Sequence, residues 1–274
     1  MAEAFKQSDV EILVATMHRN TLDFLVPMFP YAPFYSYNIL VINQTTAQNI
    51  ITSPYPSVRV INSFERGLGK SRNVALQNAV GRLAMLADDD VIFTEGFDTA
   101  IANAFNILPD AALIKFKAET FEGMPFQKYA SGIKKCLNAI DRLNIMSIEI
   151  AVNTALIKKS GVLFDTRFGL GSIFPLSEEP VFVNDLHNKG YKMGYVPKVI
   201  ETHKPVMDSG NINLSELYRI KGAIFQRIFK SRYNLWLGIQ LFFHIKHGVI
   251  KFGDIKNCIK TAAQGRKQYL ESIK

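Results

Sequence analysis

The sequence predicts an α/β fold with a mostly parallel central sheet flanked by helices, followed by a basic helical segment at the C-terminus. Three observations support this prediction: strand-like and helix-like patterns alternate through the first two-thirds of the chain, the first two strand-like runs are apolar almost throughout, and polar residues follow several of these runs. Such alternation is typical of helices that cover a mostly parallel sheet, and strands buried on both faces read as continuous apolar runs.

The predicted strands and helices follow one another in a regular order. The runs VEILVAT and NILVIN predict strands at 10–16 and 38–43, and Pro109 and Asp110 end a helix that begins at Gly96. Residues 118–150 have a mixed pattern and remain unassigned. The other predicted strands are 58–61, 82–87, 111–116, 191–196 and 199–202, and the predicted helices are 71–80, 96–108, 153–160 and 177–189.

The chain is expected to divide near residue 210, in the polar stretch DSGN, into a domain at 1–210 and a segment at 211–274. Residues 215–274 carry 12 Lys and Arg against three acidic residues, whereas the whole chain of 274 residues has a formal net charge of +8. The excess positive charge therefore lies in the C-terminal segment. This asymmetry indicates a nearly neutral body with a basic attachment segment.

Composition limits the class of protein. The hydrophobic content of 48% and the charged content of 20% are ordinary for a folded protein. Cys136 and Cys258 lack metal-ligand spacing and favour a reducing compartment. The N-terminus has no basic region followed by an apolar run, so no signal peptide is expected. The expected location is the cytoplasm, with peripheral contact to the inner face of the plasma membrane as an option.

The stretch SFERGLGKSRN contains Gly69-Lys70-Ser71, which resembles the end of a P-loop. A P-loop also needs a glycine five residues before Gly69, and Phe64 stands there. Phenylalanine does not readily adopt the backbone angles of that position, so the P-loop is excluded. The stretch predicts instead a loop that leads into a helix with Ser71 as its N-cap. Lys70 and Arg72 at the positive end of that helix favour an anion nearby.

Three consecutive aspartates follow the predicted strand at 82–87. In an extended segment the carboxylates of Asp88 and Asp90 point the same way, while Asp89 turns aside. A solvated turn explains one such aspartate, but three repelling carboxylates at a strand end favour a function. Carboxylate oxygens are the ligands that Mg²⁺ and Mn²⁺ prefer, and a shared metal lets them hold a diphosphate.

The order of these motifs resembles glycosyltransferase family 2, whose members have a GT-A fold that is Rossmann-like. The first matching block runs from ILVAT and NILVIN to GLGKSRNVALQNAVGRLAMLADDD, with the D-x-D of the family at its end. The second block is FDTRFGLGSIFPLSEEPVFVNDLHNKGYKMGYVPKVIETH. Together they span residues 10–205. The resemblance implies an inverting, metal-dependent transfer of a sugar from a nucleotide-sugar.

The resemblance also implies roles for individual residues. Two departures from the family pattern concern the base: Asn43 stands where the family usually has Asp, and the first strand ends in Ala15-Thr16-Met17-His18 instead of P-T-Y-N. The implied nucleotide-sugar ligands are Thr16 and Asn43 beside the base, Lys70, Arg72 and Asn73 at the nucleotide or phosphates, and Asp88, beside the ribose, with Asp89. The implied ligands of Mn²⁺ or Mg²⁺ are Asp90, Asp88 and His203.

The acidic pair Glu178-Glu179 opens a predicted helix after the turn FGLG. By resemblance, Glu179 is the expected general base that deprotonates the acceptor hydroxyl, and Glu178 is the alternative. The competing interpretation is that both are first-turn acids favoured by the helix dipole. The position after FGLG favours the catalytic interpretation.

The expected substrates are a UDP-sugar and a glycan or lipid-linked acceptor of surface polysaccharide synthesis. A sugar nucleotidyltransferase is a rival, but it needs a Gly-rich, Arg-containing loop after the first strand, and ATMHRN lacks one. A non-catalytic protein that binds nucleic acid or membrane is another, suggested by the basic segment. Large apolar residues interleaved with the basic ones suit a phosphate groove poorly, so no nucleic-acid partner is expected.

The segment at 215–250 combines apolar residues at helical spacing with Lys and Arg. Its most apolar run, LWLGIQLFFHI at 235–245, has 11 residues and is too short to cross a bilayer. A basic amphipathic segment with Trp236, Phe242 and Phe243 suits an anionic membrane surface. Helices that pack on the first domain explain the pattern equally well, so the two interpretations stay open.

Overall fold

The computed structural model describes residues 3–204 and 213–274. The boundary expected near residue 210 lies outside these residues. The described chain forms two compact units: one consists of residues 3–171 and 178–204, and the other of residues 172–177 and 213–274. The short stretch 172–177 therefore belongs with the C-terminal helices. A single boundary near residue 210 does not describe this division.

The first unit is built on an eight-stranded sheet in the order β3-β2-β1-β4-β7-β6-β8-β5. The strands are β1 (Val10–Met17), β2 (Asn38–Gln44), β3 (Val58–Ser63), β4 (Leu83–Asp88), β5 (Val91–Phe93), β6 (Ala111–Thr120), β7 (Ile150–Asn153) and β8 (Lys192–His203). The helices of this unit are α1 (Leu25–Met28), α2 (Leu68–Asn78), α3 (Phe97–Ile107), α4 (Ala139–Leu143), α5 (Thr154–Ser160) and α6 (Glu178–Asn188).

The sheet is mixed. Pairings β1·β2, β2·β3, β1·β4 and β6·β8 are parallel, whereas β4·β7, β6·β7 and β5·β8 are antiparallel. The α/β class is confirmed, and the sheet departs from a parallel one through the short strands β5 and β7. β5 follows a turn and β7 follows a short 3-10 helix at Ser147–Glu149, and the sequence pattern revealed neither strand.

β8 is one strand where two had been predicted on either side of Pro197. The pairing partners step from Lys115–Tyr195 to Lys117–Val199, so the register shifts around the proline. Proline lacks the N–H that a ladder needs, and an irregularity in the ladder accommodates it. The strand therefore continues through Pro197 to His203.

Helix α2 begins three residues earlier than predicted, with Gly67 rather than Ser71 at its N-cap. The backbone N–H of Gly67 donates to the side-chain oxygen of Gln44 at 2.8 Å, and the N–H of Leu68 donates to the carbonyl of Leu170 at 3.0 Å. These contacts satisfy donors that a helix start leaves unpaired. Lys70 consequently lies in the first turn of the helix instead of in the loop before it, and Arg72 lies one turn further into the helix than predicted.

Both faces of the sheet are buried, as the continuous apolar runs predict. Along β1, Ile12 and Val14 pack into one core and Leu13 into the other. Helix α3 covers the first face, and helices α2 and α6 cover the second. The carboxyl ends of β1, β2 and β4 thus emerge side by side at one edge.

The second unit contains α7 (Leu214–Phe229), α8 (Tyr233–Lys246) and α9 (Ile255–Glu271). Helices α7 and α9 cross with almost no gap: a Cβ atom on Gly222 would lie 1.9 Å from the carbonyl oxygen of Ala262, and one on Gly265 would lie 1.8 Å from that of Arg219. Only glycine permits so close an approach. Within residues 3–204 and 213–274, each helix is too short or too polar to cross a membrane.

Candidate active site

The polar strand ends predicted from the sequence lie together at one edge of the sheet. Thr16 at the end of β1 pairs with Asn43 of β2, and its neighbour Ala15 pairs with Asp88 at the end of β4. The parallel register of these three strands produces this arrangement. Ligands bind at this edge in open α/β sheets.

Arg72 links the aspartates of β4 to the glutamates of α6. Its Nη1 donates to Glu178 Oε1 at 2.7 Å and to Glu179 Oε1 at 3.0 Å, while Nη2 donates to Asp88 Oδ1 at 3.0 Å. Only 3% of Arg72 is exposed. The prediction that Arg72 faces the nucleotide phosphates therefore needs correction, because its donors point at three carboxylates.

The charges around Arg72 do not balance if all three carboxylates are ionised. Burial lowers the pKa of Arg72, but Asp88, Glu179 and Glu178 together outweigh it and raise that pKa, so the guanidinium stays charged. Burial and the neighbouring Glu179 raise the pKa of Glu178 to about 8, against the opposing pull of Arg72. At neutral pH, Glu178 is accordingly the carboxyl that holds a proton.

The glycine-rich turn FGLG makes room for Glu178. Gly169 has φ of +95°, and a Cβ atom there would lie 2.8 Å from the carboxyl carbon of Glu178. Any other residue would be strained and would collide with the acid. The turn therefore leaves the space that the Glu178 carboxyl group occupies.

Glu179 is the glutamate with a free oxygen. Its Oε1 accepts from Arg72 and, at 3.2 Å, from the backbone N–H of Ser147. Among the residues that the structure describes, no hydrogen-bond donor reaches its Oε2. The hydroxyl of Ser147 also donates to Asp88 Oδ2 at 3.3 Å. Ser147 lies in the segment 118–150 that the sequence left unassigned, and no local pattern pointed to it.

Asp89 is bound by Arg19, and together with Asp90 it lies in a turn after β4 instead of in the extended segment that the prediction assumed. The guanidinium donates to Asp89 Oδ2 from Nη2 at 2.6 Å and from Nε at 3.0 Å, and the Thr16 hydroxyl donates to the same oxygen. Arg19 also lies over the ring of Phe24, 5.0 Å from its centroid. Sequence reasoning missed Arg19, although it follows the first strand by two residues.

Three more of the predicted nucleotide ligands have partners within the protein. Asn43 is fully buried, and its amide exchanges hydrogen bonds of 3.1 Å with the backbone of Arg19. Asn73 does the same with the backbone of Phe164, at 2.7 and 2.9 Å. Lys70 is half-exposed and pairs with Glu65 at 2.8 Å. These contacts make Asn43 and Asn73 residues that position loops, while Lys70 retains access to solvent.

Asp90, directly before β5, and His203, at the end of β8, contact each other. Asp90 Oδ1 lies 3.0 Å from His203 Nε2, and Oδ2 lies 2.7 Å from Lys204 Nζ. The hydrogen bond from His203, with help from Lys204, holds the pKa of Asp90 well below its usual range in spite of desolvation. Burial lowers the pKa of His203, but its contacts with Asp90 outweigh burial and raise it.

The expected ligand set of Asp88, Asp90 and His203 does not form one cluster. Within the described ranges no three His, Cys, Asp or Glu side chains lie close enough together to hold a metal, since Asp88 is bound by Arg72 and Ser147. Asp90 and His203 are the residues of the expected set that could hold a divalent cation, if His203 Nε2 gives up its hydrogen bond to Asp90. The contact of His203 Nδ1 with the Lys204 carbonyl, at 2.5 Å, orients Nε2 toward Asp90. A set of imidazole and carboxylate suits Mn²⁺ better than Mg²⁺.

Glu201 lies on β8 two residues before His203 and was not anticipated. It is fully buried, and neither carboxyl oxygen has a hydrogen-bond partner in the described part of the chain. Burial, with a smaller contribution from Asp88, raises its pKa well above the ordinary value. Glu201 is therefore neutral and adds no negative charge beneath the site.

Comparison with solved structures identifies the fold. The chain superposes on S. aureus TarS 1–349 with a TM-score of 0.57 at 14% identity, covering 96% of this chain and 82% of that one. Against the same protein in complex with UDP-GlcNAc the TM-score is 0.59 at 15% identity, covering 92% of this chain and 79% of that one.

A third similar structure is the mannosyltransferase PcManGT from Pyrobaculum calidifontis in complex with GDP-Man and Mn²⁺. Its TM-score is 0.52 at 15% identity, and the match covers 96% of this chain and 76% of that one. No protein-family model and no curated protein sequence matches the chain. The structural comparisons confirm the expected GT-A-like, Rossmann-like α/β fold.

Proposed function

We propose that this protein is an inverting, metal-dependent glycosyltransferase that moves a sugar from a nucleotide-sugar to a hydroxyl group of an acceptor. The observation that carries the proposal is the Arg72 contact set, which joins Asp88 of the D-x-D to the acidic pair Glu178-Glu179. Of the similar structures, TarS is in complex with UDP-GlcNAc, and PcManGT is in complex with GDP-Man and Mn²⁺. These complexes support a nucleotide-sugar donor.

Glu179 is the proposed general base. Arg72 and the Ser147 N–H hold Oε1, which leaves Oε2 to accept the proton of an acceptor hydroxyl. The acceptor oxygen then bonds to the anomeric carbon as the bond from that carbon to the diphosphate oxygen breaks, on the opposite face, and the nucleoside diphosphate leaves. Glu178 suits this role less well, because with a pKa of about 8 it holds its proton at neutral pH.

Asp90 and His203 are the residues that would hold the divalent cation, with Mn²⁺ favoured over Mg²⁺. A cation there neutralises the charge that develops on the departing diphosphate. Lys204, whose Nζ lies 2.7 Å from Asp90, adds positive charge at the same place. Asp88 remains with Arg72, from where it can contact the donor ribose. Thr16 and Lys70 are retained as donor-side residues of this proposal.

The proposed donor is a UDP-sugar, and the proposed acceptor is a glycan or a lipid-linked glycan in surface polysaccharide synthesis. The proposed setting is the cytoplasm, with the basic segment at 215–250 in peripheral contact with the inner face of the plasma membrane. A role in binding nucleic acid is not part of the proposal.

A donor-turnover assay with Glu179→Gln tests the proposed base. The substitution removes the proton acceptor but keeps the shape of the side chain, so donor binding should persist while kcat falls by about 100-fold or more. Glu95→Gln is the matched control, because Glu95 is an exposed acid of the same unit. Full activity in Glu179→Gln together with a loss in Glu178→Gln would move the base to Glu178.

A further inference from the structure

Helix α8 is apolar on both of its sides. Tyr233, Leu237 and Leu241 recur every four residues and are buried, with 4%, 5% and 8% exposure. The opposite side carries Leu235, Ile239 and Phe242. A surface helix ordinarily has a polar outer face, and a helix that is apolar all round contacts apolar surroundings on every side. The outer face of α8 therefore lacks the polar side chains that a surface helix ordinarily turns toward solvent.

The outer residues form one continuous surface, which we call the α8 outer face: Leu235, Ile239, Phe242 and Phe243. With Asn234 and Gly238 they line one shallow apolar depression. Leu235 and Phe242 remain 60% and 61% exposed, and Phe243 is 42% exposed. Two phenyl rings and a leucine side chain thus stand in contact with water at neighbouring positions.

Basic residues frame the α8 outer face. Lys230 and Arg232 precede the helix, Lys246 is its last residue and Lys251 follows, and all four are exposed. The sequence has no Asp or Glu from residue 230 to residue 253. An occupant of this surface must therefore supply both an apolar contact and negative charge.

A second copy of the chain meets only the first of these requirements. A symmetric contact through the α8 outer face would bring two sets of the same four cations together, and the segment has no acid to pair with them. A nucleic acid supplies phosphates, and its bases can stack on Phe242 and Phe243, but it offers no apolar cover for Leu235 and Ile239. An anionic bilayer supplies both, because acyl chains lie directly beneath charged headgroups.

The dimensions of α8 agree with a helix that lies in the membrane plane. Its 14 residues correspond to roughly 21 Å at 1.5 Å per residue. The hydrocarbon core of a bilayer is about 30 Å thick. α8 is therefore too short to cross it but long enough to place one side at the boundary between headgroups and acyl chains.

We propose that the α8 outer face inserts into the interface of an anionic membrane, with Lys230, Arg232, Lys246 and Lys251 at the lipid phosphates. This narrows the proposed membrane contact of residues 215–250 to one side of one helix. It rests on the proposed membrane contact but not on sugar transfer. A binding assay on vesicles tests the membrane contact, and a turnover assay on a water-soluble acceptor tests sugar transfer. The two assays therefore distinguish failure of the membrane proposal from failure of the proposed activity.

Co-sedimentation of the full chain with vesicles tests the apolar part of the proposal. Vesicles of phosphatidylcholine are compared with vesicles that also contain phosphatidylglycerol. Phe242→Ser/Phe243→Ser should weaken binding to the anionic vesicles at least about tenfold, since two rings no longer leave water. Val80→Ser/Ile107→Ser removes two exposed apolar side chains of the first unit and should bind like the wild type.

The charge part is tested in the same assay. Lys230→Gln/Arg232→Gln/Lys246→Gln should weaken binding by roughly 100-fold, because each cation near an anionic surface contributes about 1 kcal/mol. Lys128→Gln/Lys135→Gln/Lys159→Gln removes the same charge from exposed positions of the first unit and should have little effect. Circular dichroism melting shows whether each variant is folded.

Trp236 reports the location of α8 directly. It is the only tryptophan of the chain and stacks on Phe229 within the second unit, with ring centroids 4.2 Å apart. Its fluorescence should be quenched by anionic vesicles whose acyl chains carry bromine, and not by soluble brominated headgroup analogues alone.

Three results would overturn the proposal. The first is wild-type protein that fails to bind anionic vesicles at low salt. The second is equal binding by the wild type and by the folded Phe242→Ser/Phe243→Ser variant. If that variant instead converts a dimer into a monomer in sedimentation velocity without vesicles, the α8 outer face is a contact between copies, and the membrane assignment falls.

Discussion

Arg72 donates a 2.7 Å hydrogen bond to Glu178, and both side chains are almost wholly buried, at 3% and 5% exposure. Asp88 and Glu179 share the same guanidinium. One cation therefore holds the carboxylates of two distant segments, the end of β4 and the start of α6. This contact set connects the proposed donor side with the proposed base.

Replacing Arg72 should destabilise the first unit strongly. Arg72→Met leaves buried carboxylates without a counter-charge, and the free energy of unfolding should fall by about 3–5 kcal/mol in a urea titration. Arg66→Met is the control, since Arg66 is exposed and the hydrogen bond of its guanidinium within the described residues is with the His18 ring. Adding Glu178→Gln to Arg72→Met should recover part of the loss, and a double variant no more stable than Arg72→Met would count against the charge argument.

The protonation of Glu178 should make stability depend on pH. Its folded pKa is raised from 4.5 to about 8, so the folded protein binds a proton that the unfolded chain releases. The resulting contribution is fully present below pH 4.5 and is lost as the pH rises through about 8, with a slope of at most about 1.4 kcal/mol per pH unit. The free energy of unfolding of the wild type should therefore fall relative to that of Glu178→Gln across that window. A difference that is constant with pH would show that Glu178 is ionised throughout.

Gly169 should tolerate no side chain. Gly169→Ala combines a strained φ with a collision against Glu178, and should cost about 2–4 kcal/mol of stability and most of the activity. Gly123→Ala is a matched control with φ of +78° and no atom within 4 Å of the added Cβ. Gly123→Ala therefore measures the cost of the positive φ alone. Equal losses of stability in the two variants would show that the collision with Glu178 adds nothing, and would remove the role assigned to the FGLG turn.

The crossing of α7 and α9 should be equally intolerant of added volume. Gly222→Ala and Gly265→Ala each push a methyl group into a carbonyl of the facing helix. Each should lower the free energy of unfolding of the second unit by roughly 1–3 kcal/mol or more, measured by thermal melting. Gly238→Ala in α8 meets no atom within 4 Å and should be neutral or slightly stabilising, because alanine favours helix over glycine. A normal melt for Gly222→Ala would mean that the helices cross less closely.

The residues that the sequence revealed are those whose pattern is local. Apolar runs mark β1, β2 and β4, and the register of these parallel strands then places Thr16, Asn43 and Asp88 at one edge. Such features follow from residue spacing alone. Period-two alternation does not extend to Asp89 and Asp90, because both lie in a turn after β4, where Asp89 is bound by Arg19.

The features that the sequence did not reveal depend on contacts between distant segments. Ser147 reaches Glu179 and Asp88 across 32 and 59 positions of the chain. The start of α2 is determined by Gln44 and Leu170, so Arg72 lies one turn further into the helix than the sequence predicts. No periodicity marks β5 or β7, because strands of three and four residues are too short to show one.

The most direct test of the proposed transferase site is calorimetric titration of UDP, UDP-sugars and GDP-mannose with and without Mn²⁺, for the wild type and for Asp90→Asn. The proposed function predicts binding of one nucleotide class that Mn²⁺ strengthens, and loss of that strengthening in Asp90→Asn. Absence of nucleotide binding by the folded wild-type protein, with either Mn²⁺ or Mg²⁺, would contradict it.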